Sequence, residues 1–446
     1  MTNSTSRPRF ATSFGVIATT VGSAVGLGNI WRFPYETGSN GGAAFLILYI
    51  IFVLAIGVPL ICAEFIMGRS SRLNIFGAFR TLAPARGRTW AAVGCLGILA
   101  AVLILSFYAV VAGWTFEYLA ESLTGHLNDF SGPGRHTAFD SFTAGPRCLF
   151  WTLIVLAANA AVLLGGVRKG IERVSNILMP ILFVLLIALS VNSLFLPGAS
   201  VGLSFLFRPD FSALTPAAVL SAMGQAFFSL SLGVGTMMIY ASYFSSRTPL
   251  IRSALTTAAL DTLVAILASI MIFPAVFSFG ASPEAGPKLV FEVLPDIFAG
   301  MPAGSVAAAA FFLLLVLASI TSTISMSEIV VAFLIEQWGL RRIPAVAIHT
   351  AICALLASLC ALSFGPLAHV KIAGFTFFNL FDFATSNILM PIGGCLISIF
   401  VGWFIDRSVI NTQLAPAPAA LIRIITLTLR YIAPAAIAII FIAGLV

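Results

Sequence analysis

The chain has 446 residues, of which 60% are hydrophobic and only 9% charged, and its mean hydropathy is +1.07. A soluble domain carries about 25% charged residues, so this composition leaves too little polar surface to face water; disorder and a collagen-like repeat are excluded too, and apolar runs that are continuous instead of alternating argue against a transmembrane β-barrel. The net charge of +7 arises from 23 basic residues gathered in a few short loops, which is a topology signal and no sign of a nucleic-acid partner.

Met1 to Thr12 is polar and basic and leads straight into an apolar run without a small-residue cleavage site, so no cleavable signal peptide is expected. Apolar runs split at Pro, Gly and charge clusters predict helices near 13–38, 43–68, 90–123, 148–166 and 173–195, then near 215–243, 250–280, 304–337, 343–364, 375–404 and 422–445, eleven in all. An odd number puts the termini on opposite faces. Sixteen basic residues, among them Arg7, Arg69, Arg86, Arg168, Arg247, Arg342, Arg407 and Arg423, fall on the face of the N-terminus, against Arg135, Arg147, Arg208, Lys288 and Lys371 on the other, with Arg32 and Arg430 intramembrane or borderline. The N-terminus is therefore expected in the cytoplasm and the C-terminus outside. The longest hydrophilic stretches, 124–146 and 281–304, are too short to fold as domains, so residues 1–446 read as one membrane domain. Six cysteines without a CxxC pair read as packing residues, and the scattered His126, His136, His349 and His369 do not suggest a metal centre.

Two of the predicted helices are built to break. The first holds Gly22, Gly26 and Gly28, then Asn29, Arg32 and Pro34, in an otherwise apolar span. Each glycine lowers helix propensity by about 1 kcal/mol, and freed backbone groups at membrane depth persist only where protein or a water-filled cavity satisfies them. Close packing through Gly22 and Gly26 is the alternative. The sixth span, however, carries Ser229, Ser231, Gly233 and Gly235 at the matching point of the second half. Paired broken helices five spans apart point to two inverted repeats, 13–195 and 215–404, with an eleventh helix at 422–445 and a binding site at the midplane.

The run GSAVGLGNIWRFP from Gly22, followed by NGGAAF, GVPL and EFIMGR, with FFSLSLGVG and LASITSTIS later, resembles the neurotransmitter:sodium symporter family and its bacterial amino-acid transporters over essentially the whole chain. The resemblance implies an all-α polytopic protein of LeuT-like fold with discontinuous helices 1 and 6. It also implies two sodium sites and no organic cofactor. The first site would use the Ala24 carbonyl, Asn29, Ser229, Asp261 and the substrate carboxylate; the second would use carbonyls of Gly22, Val25 and Ala318 with the hydroxyls of Thr321 and Ser322. A hard cation suits such oxygen sets, although Thr321 and Ser322 could instead bond back to their own helix. Asp261 departs from the commoner Asn of the family. Chloride-dependent members have a cluster matching Tyr49, Gln225 and Ser229 plus a further serine, where this chain has Ala265, so Asp261 is expected to supply the fixed negative charge, unless it stays protonated.

By the same resemblance the substrate is a zwitterion. Its carboxylate would meet the Leu27 and Gly28 amides and the Tyr108 hydroxyl, and Gly26, where amine carriers have Asp, favours an amino acid. Ala24, Ile104, Phe228, Ser229, Ser231, Val234, Ser322 and Met326 would line a pocket with room for a large aliphatic or aromatic side chain. Arg32 with Asp382 resembles the outer gate pair and Arg7 with Glu336 the inner one, Glu336 replacing the usual Asp; Glu36 and Glu64 read as structural or water-linked. No HExxH, GxSxG or aspartyl pair suggests an enzyme. The leading expectation is sodium-coupled symport of a neutral amino acid across the bacterial inner membrane, chloride-independent and by alternating access; a sensor or channel on the same fold is the alternative. The lipid bilayer and the small-molecule substrate are the expected partners. Oligomeric state stays open, because some members with a twelfth helix use it at a dimer contact.

Overall fold

A lipid interior offers no water to backbone N–H and C=O groups, so apolar segments of membrane length close their hydrogen bonds within themselves as helices. The computed structural model describes residues 7–83, 87–129, 133–283, 289–301 and 303–444. Arg86 and Lys288, named above, lie outside them. In chain order the spans are α1, in two parts Ser13–Ala24 and Gly28–Ser39 bent by 54°, α2 (Ala43–Ser71), α3 (Gly87–Thr124), α4 (Pro146–Leu164) and α5 (Val167–Ser193). There follow α6, in two parts Pro216–Ser229 and Thr236–Ala241, then α7 (Leu250–Ser278), α8 (Gly304–Trp338), α9 (Arg342–Leu362), α10 (Phe377–Phe404) and α11 (Ala419–Ala443). Among the described residues nine of these are continuous helices long and apolar enough to cross a membrane and the bent α1 pair makes a tenth, while α6 is interrupted between Ser229 and Thr236; α1 and α6 are the helices whose glycines predicted a break.

The boundaries differ from the sequence reading where polar residues belong to a helix end. α5 begins at Val167 instead of 173 because Glu172 is not loop. Its carboxylate accepts the Ala11 N–H with both oxygens at 2.9 Å, and Arg168 Nε donates to the Arg9 carbonyl at 2.7 Å. The hydrophilic stretches before α4 and before α8 contain the short helices Pro133–Ala144 and Leu294–Ala299.

α3 and α8 pack most extensively on each other at the centre, and α1 lies between α5, α7 and α8. The apolar stretches of α3 and α7 are 67% buried against 28% for α5 and α11, so the latter two are peripheral and turn apolar side chains outward, as Val184 and Ile442 do. The second part of α6 lies on α2.

Candidate functional site

The site is made by the two breaks. Thr12 caps α1, its hydroxyl accepting the Gly15 N–H at 2.8 Å, and the helix stops at Ala24, where Val25 turns extended at ψ 117°. In α6 the helix stops at Ser229; Ser231, Gly233 and Gly235 take φ of 52°, 87° and 91°, left-handed values that favour glycine, before Thr236 restarts it. The breaks touch: Ser231 Oγ donates to the Ser23 carbonyl at 3.2 Å. Freed donors find a partner in α2, where the fully buried Glu64 carboxylate accepts the N–H groups of Gly233 at 3.0 Å and Met238 at 3.1 Å. That is the structural role expected of Glu64, and an acid beside the start of a half-helix is also favoured by its dipole.

Beside the α1 break, Asn29, Ser229 and Asp261 form one buried cluster. Asn29 Nδ2 donates to Ser229 Oγ and Asp261 Oδ1, each at 2.8 Å, and Ser229 Oγ donates to Asp261 Oδ2 at 2.7 Å. Tyr49 Oη donates to Asp261 Oδ2 at 3.1 Å, while the Asn29 oxygen accepts the Gly26 N–H at 3.1 Å. Gln225 Nε2 donates to the Gly28 carbonyl at 3.0 Å, and its buried Oε1 has no hydrogen-bond donor among the described residues. On the other side of α1, Ser322 Oγ of α8 donates to the Val25 carbonyl at 3.1 Å. Thr321 Oγ1 turns back to the Ala318 carbonyl at 3.0 Å, and its Cβ lies where a side chain on Gly22 would meet it at 3.3 Å. Of the two hydroxyls, therefore, Thr321 bonds to its own helix and Ser322 crosses to α1. Both clusters offer oxygen from carbonyls, hydroxyls, an amide and one carboxylate, and no sulfur, a donor set that fits a hard monovalent cation.

Between the clusters is a narrow cavity of about 30 Å³, lined by Ala24, Gly26, Gly28, Ile104, Tyr108, Phe228, Ser229, Ser231, Val234, Ser322 and Met326. Leu27 turns its backbone to it, the N–H donating to Tyr108 Oη at 3.0 Å. A Cβ on Gly26 would lie 2.6 Å from Ser322 Oγ and 2.9 Å from Tyr108 Oη, so a side chain there would have to displace both hydroxyls. Two lining residues, Thr236 and Met390, were not anticipated. Thr236 follows directly on the glycines of α6, which is a readable signal; Met390 sits in the apolar run of α10 with none.

The gate residues divide. Arg7 Nη1 pairs with Glu336, whose other oxygen accepts the Asn74 N–H and Nδ2, both at 2.7 Å, and Arg7 also lies 4.7 Å from the Tyr243 ring. The expected Arg32–Asp382 pair is not formed. Arg32 Nε is 3.6 Å from Glu36, one turn along the same helix face, and its guanidinium stacks on Phe228 at 4.6 Å. Asp382 instead accepts from Ser386 Oγ at 3.1 Å. Glu36 is further held by Ser221 Oγ at 2.5 Å, so it joins α1 to α6 at the outer mouth. Behind the inner pair, Arg342 bridges to the buried Glu328 at 2.7 Å and Tyr243 Oη donates to the same carboxylate at 2.7 Å, a linkage not foreseen.

The profile of the sodium:neurotransmitter symporter family matches residues 7–132 and 143–446. The chain is 39% identical to the uncharacterised sodium-dependent transporter YhdH of Bacillus subtilis, over 97% of this chain and 96% of that one. It is 28% identical to the sodium-dependent dopamine transporter of Bos taurus, over 86% and 61%. Among solved structures, MhsT in complex with L-phenylalanine matches with a TM-score of 0.90 and 44% identity, covering 98% of this chain and 100% of MhsT.

Proposed function

This chain belongs to the sodium:neurotransmitter symporter family and is a sodium-dependent transporter of the LeuT fold, and from that premise we propose that it carries a neutral hydrophobic or aromatic L-amino acid inward across the bacterial plasma membrane, driven by sodium and without chloride. The observation that carries this reading is the cavity between two helix breaks, apolar at Ile104, Val234 and Met326 and bordered by oxygen clusters on either side of α1. The similarity to MhsT, a protein solved with L-phenylalanine, supports an amino acid as substrate.

The amino acid's carboxylate takes the Leu27 N–H that Tyr108 now accepts, with the Tyr108 hydroxyl turned to donate, and its side chain enters the Ile104, Val234 and Met326 end. The first sodium ion sits among Ala24, Asn29, Ser229, Asp261 and that carboxylate. Asn29 must then present its oxygen where Nδ2 now points, a half-turn of an amide whose two ends are alike in shape. A second sodium ion sits among Gly22, Val25, Ala318, Thr321 and Ser322. Asp261 brings the negative charge that an added anion would otherwise supply, and Tyr49 and Ser229 orient it.

Ion and substrate together join α1, α6 and α8, so filling the site favours closure of the outer mouth. Rocking of α1, α2, α6 and α7 against the remainder, between repeats 13–195 and 215–404, then opens the inner side when Arg7 leaves Glu336. The N-terminus lies in the cytoplasm and the end of α11 outside.

The test is uptake of each of the twenty radiolabelled amino acids into proteoliposomes, with inward sodium or potassium and with gluconate or chloride as the anion. Sodium-dependent uptake of leucine-like or aromatic substrates in gluconate is expected. Uptake that requires chloride removes the role given to Asp261, and no sodium-dependent uptake of any amino acid removes the substrate class.

A further inference from the structure

Arg430 has no part in the transport site, yet it is held in place. Its Nε donates to the Gly402 carbonyl at 2.8 Å, its guanidinium lies 4.4 Å over the Trp403 ring, and Trp403 Nε1 donates to the Arg430 carbonyl at 3.1 Å. The end of α10 and the middle of α11 are fixed together by these contacts, with a side chain on Gly402 coming within 2.9 Å of the Arg430 Cα. Both Nη groups of Arg430 lack a protein acceptor among the described residues.

Arg430 borders a cavity of about 500 Å³ between the short helix Arg407–Leu414 and the first half of α11. Arg407 and Arg423 line it with Arg430, and no acidic side chain does. None of the three arginines makes an ion pair among the described residues. The nearest acid in sequence, Asp406, is turned to cap its own helix through the Ser408 N–H at 2.8 Å. Three like charges converging on one hollow without a counter-ion repel one another, and an anion there relieves that repulsion.

Position decides which anion. Trp403 and Tyr431 stack edge to face at 5.4 Å, each more than half exposed, as aromatic residues do at headgroup level. On one side of that pair the exposed Ile432 and Ile439 stand one above the other on α11 and face hydrocarbon. On the other is the basic hollow. It lies on the face of the N-terminus, since Arg69 at the end of α2 donates to Gln413 at 2.6 Å and Arg7 donates to the Arg72 carbonyl at 3.2 Å. Arginines serving topology alone need only reach water; these border a hollow that includes Arg430, whose guanidinium lies on the exposed Trp403 ring.

We propose that this hollow binds the phosphate of an anionic phospholipid, with Arg430 holding it at the aromatic level, Arg407 and Arg423 closing from the aqueous side, and the acyl chains lying along Ile432 and Ile439. Basic pockets between membrane helices are built for such headgroups.

The full-length protein, purified in a neutral detergent, is titrated with phosphatidylglycerol, phosphatidylcholine or inorganic phosphate, and binding is read by native mass spectrometry and by thermal melting. Phosphatidylglycerol is expected to bind and to raise Tm, phosphatidylcholine to do neither. The exposed pair Arg407→Gln with Arg423→Gln leaves the α10–α11 contacts intact and should weaken phosphatidylglycerol binding on the order of tenfold or more. Arg430→Gln should weaken it as well. The charge-matched pair Arg247→Gln with Arg252→Gln, also on that face and outside the hollow, should not. Equal binding of both lipids, or equal loss in the control pair, overturns the proposal, and inorganic phosphate raising Tm as much as the lipid does overturns the lipid source in favour of a soluble anion. None of these readouts depends on which substrate is transported.

Discussion

Asp261 is the residue on which the ion chemistry turns. Its carboxylate is fully buried and accepts from Asn29, Ser229 and Tyr49, and Ser229 and Tyr49 keep it in place when the Asn29 amide turns to the ion. Asp261→Asn keeps the shape and removes the charge; uptake in gluconate is expected to fall at least about tenfold, the scale of one charge-assisted contact, and unchanged uptake in gluconate contradicts the assignment. Tyr108→Phe leaves the Leu27 N–H without its 3.0 Å acceptor and the substrate carboxylate without a donor. KM should rise by about tenfold, since a hydrogen bond to a charged group is worth roughly 1.5–3 kcal/mol, and Tm should fall as well, since the buried Leu27 N–H loses its acceptor. At this scale the sequence was legible wherever a motif names the residue, and less so where partners compete. Arg32 had two acids to choose from, and the one four residues away on its own helix face holds it at 3.6 Å while Asp382 does not. Met390 belongs to the cavity only because α10 passes beside it, which no local pattern records.

The broken helices are the elements that most needed sequence devices, and glycine marked both. What could not be read was how the freed α6 backbone is satisfied: the answer is a carboxylate from α2, far away in sequence and brought near only by packing. Glu64→Leu strips acceptors from two buried N–H groups, each costing about 1–3 kcal/mol. A Tm lower by several degrees in detergent is expected, with Glu64→Gln intermediate because an amide oxygen can still accept; equal Tm for Leu and Glu shows that the α6 break is satisfied otherwise. Gly233→Ala should be worse tolerated, since its Cβ would come 2.4 Å from the Met390 carbonyl at a φ of 87°.

For the whole molecule, the order of the apolar helices and the two interruptions were readable because the apolar runs are long and the breaks are punctuated. The state of the gates was not, because it depends on which charges meet across helices. The inner side is held by Arg7 on Glu336, by Tyr243 on Glu328 and by Arg342 on Glu328, whereas at the outer mouth Arg32 is drawn to Glu36 and Phe228. Glu336→Gln weakens the inner set, leaving Asn74 a poorer acceptor as well. Distances between spin labels across the inner mouth should shift toward the open form, by about tenfold in population for a loss near 1.4 kcal/mol; an unchanged distribution indicates that Glu328 and Arg342 suffice.

The central claim is that the sodium gradient does work on the substrate through one site between the α1 and α6 breaks. It is tested most directly by following the internal concentration of the preferred amino acid in sodium-loaded and sodium-free proteoliposomes, before and after a sodium ionophore collapses the gradient. Accumulation above the external concentration, lost on adding the ionophore, is the predicted result. A level that stops at the external concentration whatever the gradient contradicts symport and makes the protein a passive conduit or a sensor.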